Sequence, residues 1–164
     1  MTMQRYLGTK VLNAEPMKRG DYNLFRGWKT PADENSDDPG YLVEYLDGGK
    51  PNLPGFNGYV SWSPKDVFDR AYRLVERLTF GQALEALRVG KRVARTGWNG
   101  KNMFLFLVPG STFSVSRPPL LGIYPEGTEV NYHPHIDMRT ADGTIVPWLA
   151  SQTDVLAEDW HLIG

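Results

Sequence analysis

Thr79–Asn102 reads TFGQALEALRVGKRVARTGWNGKN, and the architecture of the second half of the chain is built around it. Thr79 with Gln82 three residues on is the pairing that satisfies two orphan backbone donors at a helix start. Phe80, Ala83, Leu84 and Leu87 then recur at helical spacing, so one face is apolar. Gly90 falls where a helix takes a left-handed residue at its end. Lys91–Thr96 has strand propensity and mixed polarity, and it runs into a Gly97-Trp98-Asn99-Gly100 corner. The rest of the chain packs onto this helix-strand-corner unit or extends it.

Downstream, Met103–Val108 is apolar on both alternations, the pattern of a central strand covered on both faces by helices or by another subunit. Pro109-Gly110 stops it. Thr112–Ser116 alternates Phe113 and Val115 with hydroxyls, as a short half-exposed strand does. Pro118–Val130 has no helical or strand period, and its Leu120, Leu121, Ile123 and Tyr124 favour an interface. Tyr132–Thr140 and Thr144–Trp148 flank Asp142-Gly143, a strong hairpin signal. Ser151 with Asp154 caps a last helix carrying Val155, Leu156 and Trp160, and Leu162-Ile163 adds an edge strand. The expected module is α+β, a small mostly antiparallel sheet with two short helices.

Upstream, residues 1–78 read as a separate small α+β module, with the second domain at 79–164. Tyr6–Ala14 suits a strand and Pro16–Trp28 a short helix with awkward glycines. Thr30–Gly40 is polar and turn-rich, hence an exposed loop. Tyr41–Leu46 and Tyr59–Trp62 are strands around an Asp47-Gly48-Gly49 turn. Ser63 is placed to cap a helix with proline at its first position, running almost to Leu78. Val67, Phe68, Ala71, Tyr72 and Val75 form its buried stripe, and Trp28, Trp62 and Trp160 are core residues.

The composition excludes several classes. At 164 residues there is room for one medium domain or two small ones. The longest apolar run, Met103–Pro109, is too short to span a bilayer, and Met1–Gly20 lacks the apolar core of a signal peptide. With 0 cysteines there is no disulfide framework or thiolate chemistry. A net charge of −1 argues against bulk electrostatic binding to DNA or to an anionic membrane. Yet Ala86–Pro125 contains no Asp or Glu, while Arg88, Lys91, Arg92, Arg95, Lys101 and Arg117 all fall there. Such a segment suits a small anionic ligand, and equally a strand edge guarded by cations.

Chemical motifs are sparse. His133, His135 and Asp137 make an H-x-H-x-D ladder, but a fourth ligand and cysteine are missing, so no metal site is expected. There is no nucleophile elbow, phosphate loop or dinucleotide fingerprint. Asp154, Glu158 and Asp159 could supply carboxylates for acid–base work, although spacing puts Asp154 and Glu158 on a solvated helix face. The aromatics are more informative. Trp98 sits on a glycine corner and Trp148 follows Pro147 at the hairpin's end. A planar base stacks on such rings for roughly 1–3 kcal/mol, while the bland alternative makes both tryptophans core anchors.

The segments TFGQALEALRVGKRVARTGWNGKNMFLFLVPGS and RPPLLGIYPEGTEVNYHPHIDMRTADGTIVPWLASQTDVLAEDW closely resemble the second Thoeris anti-defence family of phages, across residues 79–160. The resemblance implies a non-enzymatic sponge without cofactor. It would bind cyclic ADP-ribose isomers made by host TIR-domain proteins and hold them intact in the cytoplasm of the infected bacterium. Some members are implied to bind cyclic di- or trinucleotides at a separate site, and the family assembles as a homotetramer with ligand pockets between subunits. Carried over by motif, Trp98 and Trp148 sandwich the adenine, and Asn99, Arg95 and Phe104 border the pocket. Asp137, Ser151, Thr153 and Asp154 are candidate ribose and phosphate contacts. Two alternatives remain at this point: a hydrolase of the same signal, and a protein-interaction module whose aromatics are simply core. Residues 4–73 resemble a small tailed-phage domain of unassigned role, which implies no function.

Overall fold

The computed structural model describes residues 3–6, 8–98 and 102–164. The chain divides into two compact units, 1–73 and 74–164.

The first unit is built on three antiparallel strands in the order β1-β2-β3: β1 (Leu12–Pro16), β2 (Gly40–Tyr45) and β3 (Tyr59–Pro64). Helix α1 (Arg19–Phe25) contributes Tyr22 to a core with Leu42 and Val60, ringed by Met17, Leu53, Phe56 and Trp62. On the opposite alternation of β2, Tyr41 stacks on Phe68 of α2 (Lys65–Ala71) with ring centroids 4.1 Å apart. The sheet thus has a helix on each face. Glu44, buried on β2, accepts from the Asn13 side chain (3.0 Å) and from the backbone N–H groups of Asn57 (2.7 Å) and Gly58 (3.1 Å). These bonds, that of Asn13 foremost, hold its carboxyl below the usual range although burial opposes them.

Several expectations for this unit need correction. β3 runs through Pro64, so Pro64 rather than Ser63 is the residue before α2, and no side chain caps it. The helix ends at Ala71, because Tyr72 is extended. Its stripe is narrow: Phe68 and Tyr72 are half-buried while Val67 and Ala71 face solvent. Trp28 is 53% exposed, one ring face covered by the Arg26 guanidinium at 4.5 Å, so it is a surface residue. The expected helix over Pro16–Trp28 shrinks to seven residues; Pro16 completes β1 and Gly27 adopts positive φ.

The second unit is α+β, with every ladder between its strands antiparallel. Its main sheet has five strands in the order β10-β4-β5-β8-β9: β10 (Trp160–Ile163), β4 (Arg92–Arg95), β5 (Phe104–Val108), β8 (His135–Arg139) and β9 (Ile145–Pro147). β6 (Ser111–Ser114) and β7 (Glu129–Tyr132) form a separate pair. The opening helix, α3 (Phe80–Arg88), starts with a complete Thr79/Gln82 capping box. It ends in a Schellman motif: Lys91 N–H bonds to Ala86 O and Gly90 N–H to Leu87 O, with Gly90 at φ +79°. Ala83 and Leu87 of α3 pack with Leu78, Val93, Leu105 and Trp160 into the core. β5 is the central strand, as its doubly apolar pattern implies.

Two features of this unit depart from the pattern. Tyr132–Thr140 is broken, because Pro134 has no N–H to continue a ladder; Tyr132 pairs with Ser111 and β8 starts at His135. The last helix, α4 (Gln152–Val155), is a single turn, so Trp160 lies on β10 and Asp154 shares no helical face with Glu158. Residues 74–78 also join this sheet's margin: Leu78 and Trp160 exchange both backbone hydrogen bonds, and Leu162 N–H reaches Val75 O at 3.2 Å. At the Asp142-Gly143 turn, the Thr140 hydroxyl first, then Thr144, holds the Asp142 carboxyl down to about 2.

Candidate functional site

Strand alternation sorts the expected site residues onto two faces of the five-stranded sheet. Val93 pairs with Leu105, Leu105 with Met138, and Trp160 with Arg95. These residues point toward α3. Phe104, Phe106 and Asp137, one step out of phase, belong to the opposite face, where Phe106 pairs with Asp137 and Asp137 with Pro147.

On the α3 side, Trp160 is fully buried and organises three other rings. Trp98 meets it edge-on at 5.3 Å (77°), Trp148 edge-on at 6.0 Å (84°), and Phe80 tilted at 5.4 Å. Trp98 and Trp148 are each half-buried. Each is anchored in part against the core and keeps part of its ring exposed. No ring contact joins Trp98 directly to Trp148 among the described residues; each leans on Trp160 instead.

A polar cluster holds the Trp98 edge. Asp154 Oδ1 accepts from Trp98 Nε1 (3.2 Å) and Arg95 Nη1 (2.8 Å), and its Oδ2 accepts from the Ser151 hydroxyl (2.6 Å). Ser151 and Thr153 hydroxyls lie 2.8 Å apart. The Arg95 guanidinium, 17% exposed, also donates through Nε to Asp159 Oδ1 at 2.8 Å. Burial works to raise the Asp154 carboxyl, but bonds from Ser151, Arg95 and Trp98 outweigh it and hold it below its ordinary range. Asp159 is held low chiefly by Arg95, and Arg95 is raised chiefly by Asp159. Asp159 Oδ2 further accepts the Gly97 N–H at 2.7 Å, and a Cβ at Gly97 would lie only 2.9 Å from that oxygen.

Of the sequence-derived residues, the structure therefore brings together Trp98, Arg95, Ser151, Thr153 and Asp154, with Trp148 joined through Trp160. Phe104 and Asp137 lie on the other sheet face, and Asn99 falls outside the described residues. Arg95 is engaged by two carboxylates rather than presented free. Asp159, raised from sequence only as a carboxylate for acid–base work, and Trp160, read as core, complete the cluster; Asp159 lies 64 positions from Arg95, beyond any spacing rule. His135 Nε2 is 3.6 Å from Asp137 Oδ1, while His133 is off the strand and offers its carbonyl to His135 Nδ1. Among the described residues no group of three or more His, Cys, Asp or Glu side chains is placed to hold a metal ion, and no helix is long and apolar enough to cross a membrane.

A five-stranded antiparallel sheet with two short capped helices, α3 and α4, and an aromatic cluster beside a fixed carboxylate defines the class: a small α+β module with half-buried tryptophans. The family follows from the sequence of that module. The Thoeris anti-defense 2-like domain family matches residues 78–163, and this chain belongs to it. Thoeris anti-defense 2 of Bacillus phage SP01 is 45% identical over 88 residues, which make up 54% of this chain and 97% of that protein. The resemblance read from the GWN, PW and hairpin motifs is thereby established for the second unit.

Proposed function

We propose that the second unit binds a cyclic ADP-ribose isomer and sequesters it intact, acting as a sponge rather than an enzyme in the cytoplasm of an infected bacterium. The observation that carries this reading is the pair of half-buried tryptophans, both braced against Trp160, with the Trp98 indole pinned by Asp154. A ring fixed at its edge keeps a face for a purine at little ordering cost. Nanomolar binding corresponds to about −12 kcal/mol. Stacking supplies roughly 1–3 kcal/mol per base, so polar contacts to ribose and phosphate must supply much of the rest. The Ser151 and Thr153 hydroxyls, linked to the Asp154 that holds the ring, are the candidates for that role. The reading takes one ring of the Trp98–Trp148 clasp from each of two copies.

The opposite sheet face supports self-association, and with it the homotetramer. Phe104 and Phe106 are half-buried there, and both Asp137 Oδ1 and His161 Nδ1 are buried without a hydrogen-bond partner among the described residues. A second copy would complete that face. Asp137 would then reach a ligand only from a neighbouring copy. Cyclic di- or trinucleotides are further candidate ligands of the assembly.

The deciding experiment is mass spectrometry of the protein exposed to an extract of TIR-activated cells, under native and then denaturing conditions. Recovery of the intact cyclic nucleotide is expected; recovery of ADP-ribose would replace the sponge with a hydrolase. A folded Trp98→Ala, Trp148→Ala variant is expected to capture none, and full retention by it would make both rings simple core anchors and take the ligand site away from them.

A further inference from the structure

We propose that Asp159 is the positioning residue of this site, fixing the orientation of the Trp98 ring before any ligand arrives. The proposal rests on the ligand-binding reading of Trp98 but concerns the free protein.

Asp159 grips the Trp98 corner at three points. Its backbone carbonyl accepts the Thr96 N–H at 3.1 Å, and its Oδ2 accepts the Gly97 N–H at 2.7 Å. Its Oδ1 takes Arg95 Nε at 2.8 Å, turning the other end of that guanidinium onto Asp154, which in turn holds Trp98 Nε1. The chain of contacts is therefore Asp159, Arg95, Asp154, indole. Trp98 N–H closes the corner onto Arg95 O at 3.3 Å. Asp159 directly precedes Trp160, whose Nε1 donates to Asp154 O at 3.0 Å. The ring that supports Trp98 from beneath and the carboxylate that aims it are thus adjacent residues on one strand entry. Removal of the Asp159 charge leaves Arg95 with one anion, free to rotate about its remaining contact, and weakens the side-chain hold on Gly97 N–H, while the Thr96 N–H bond to the backbone carbonyl stays.

The test uses the full chain with tryptophan indole nitrogens labelled, comparing wild type, Asp159→Asn and Asp159→Glu, with Glu129→Gln on exposed β7 as control. Hydrogen exchange at Trp98 Nε1–H is expected to accelerate several-fold in Asp159→Asn, while that of Trp160 Nε1–H, buried in the core, stays within about twofold. Cyclic ADP-ribose isomers prepared with a TIR-domain enzyme should bind about tenfold more weakly, through faster dissociation, since preorganisation is what is lost. Asp159→Glu, which keeps the charge, should restore part of both effects. An unchanged Trp98 exchange rate overturns the proposal, and so does equal acceleration at Trp160, which would mean simple destabilisation. If wild type itself binds none of the isomers, the sponge reading fails, and the two indole rates still decide whether Asp159 positions the ring.

Discussion

Asp154 receives four hydrogen bonds on one carboxylate, from Arg95, Trp98, the Ser151 hydroxyl and the Ser151 N–H. Asparagine there substitutes a donor for one acceptor, so at least one of those donors loses its partner in a partly buried setting. Asp154→Asn should cost about 2 kcal/mol, read from the shift of the urea midpoint at constant slope. Asp154 and Asp159 are both depressed, so their contribution is complete above the unfolded carboxylate value of about 4 and is lost as pH falls through their lower folded values. An acid titration followed by tryptophan fluorescence should show the wild type losing stability below about pH 4, and Asp154→Asn losing less over the same interval. At this scale the sequence was only partly legible. Ser151 and Asp154 could be paired from their spacing, because capping is local. Arg95 and Asp159 could not, since only strand pairing brings them together. Trp28 misled because its size suggested burial, whereas a cation covers just one of its faces.

Helix α3 depends on its two ends. Thr79→Ala deletes the Oγ1 that accepts Gln82 N–H at 3.4 Å and so breaks the reciprocity of the capping box, leaving the 2.9 Å bond from the backbone N–H of 79 to Gln82 Oε1. The expected loss is about 1 kcal/mol of unfolding free energy by denaturant titration. Gly90→Ala should cost a similar amount, about 1 kcal/mol, although a Cβ there meets nothing within 4 Å. The penalty is purely that of φ +79°, so Asn at the same position should cost less than Ala. These ends, β4 and the β8–β9 hairpin were readable because capping and turn chemistry are written in adjacent residues. The length of α2 and of α4 was not, for apolar spacing continued past the point where the backbone turns extended. Ser63 looked like a cap only because the strand before it runs two residues further, to Pro64, than its alternation indicated.

At the scale of the molecule, two units carry separate cores, one centred on Leu42 and Val60 and one on Leu105 and Trp160. The described residues of the second core all lie within 74–164, and so does the family match. That segment alone should fold cooperatively and bind cyclic ADP-ribose isomers within about threefold of the full chain by calorimetry, as independent domains do. A Glu44→Ala change in the first unit, which strands three donors, should lower that unit's melting transition and leave the second unit's unmoved.

The short distance between position 97 and the Asp159 carboxylate reaches beyond this one chain. Any descendant that gains a side chain at 97 meets that oxygen at once, so tolerance there depends on a smaller group arriving at 159. Drift at either site is then conditional on the other. A library randomised at both should return survivors in matched pairs, with glycine paired to aspartate as the commonest solution.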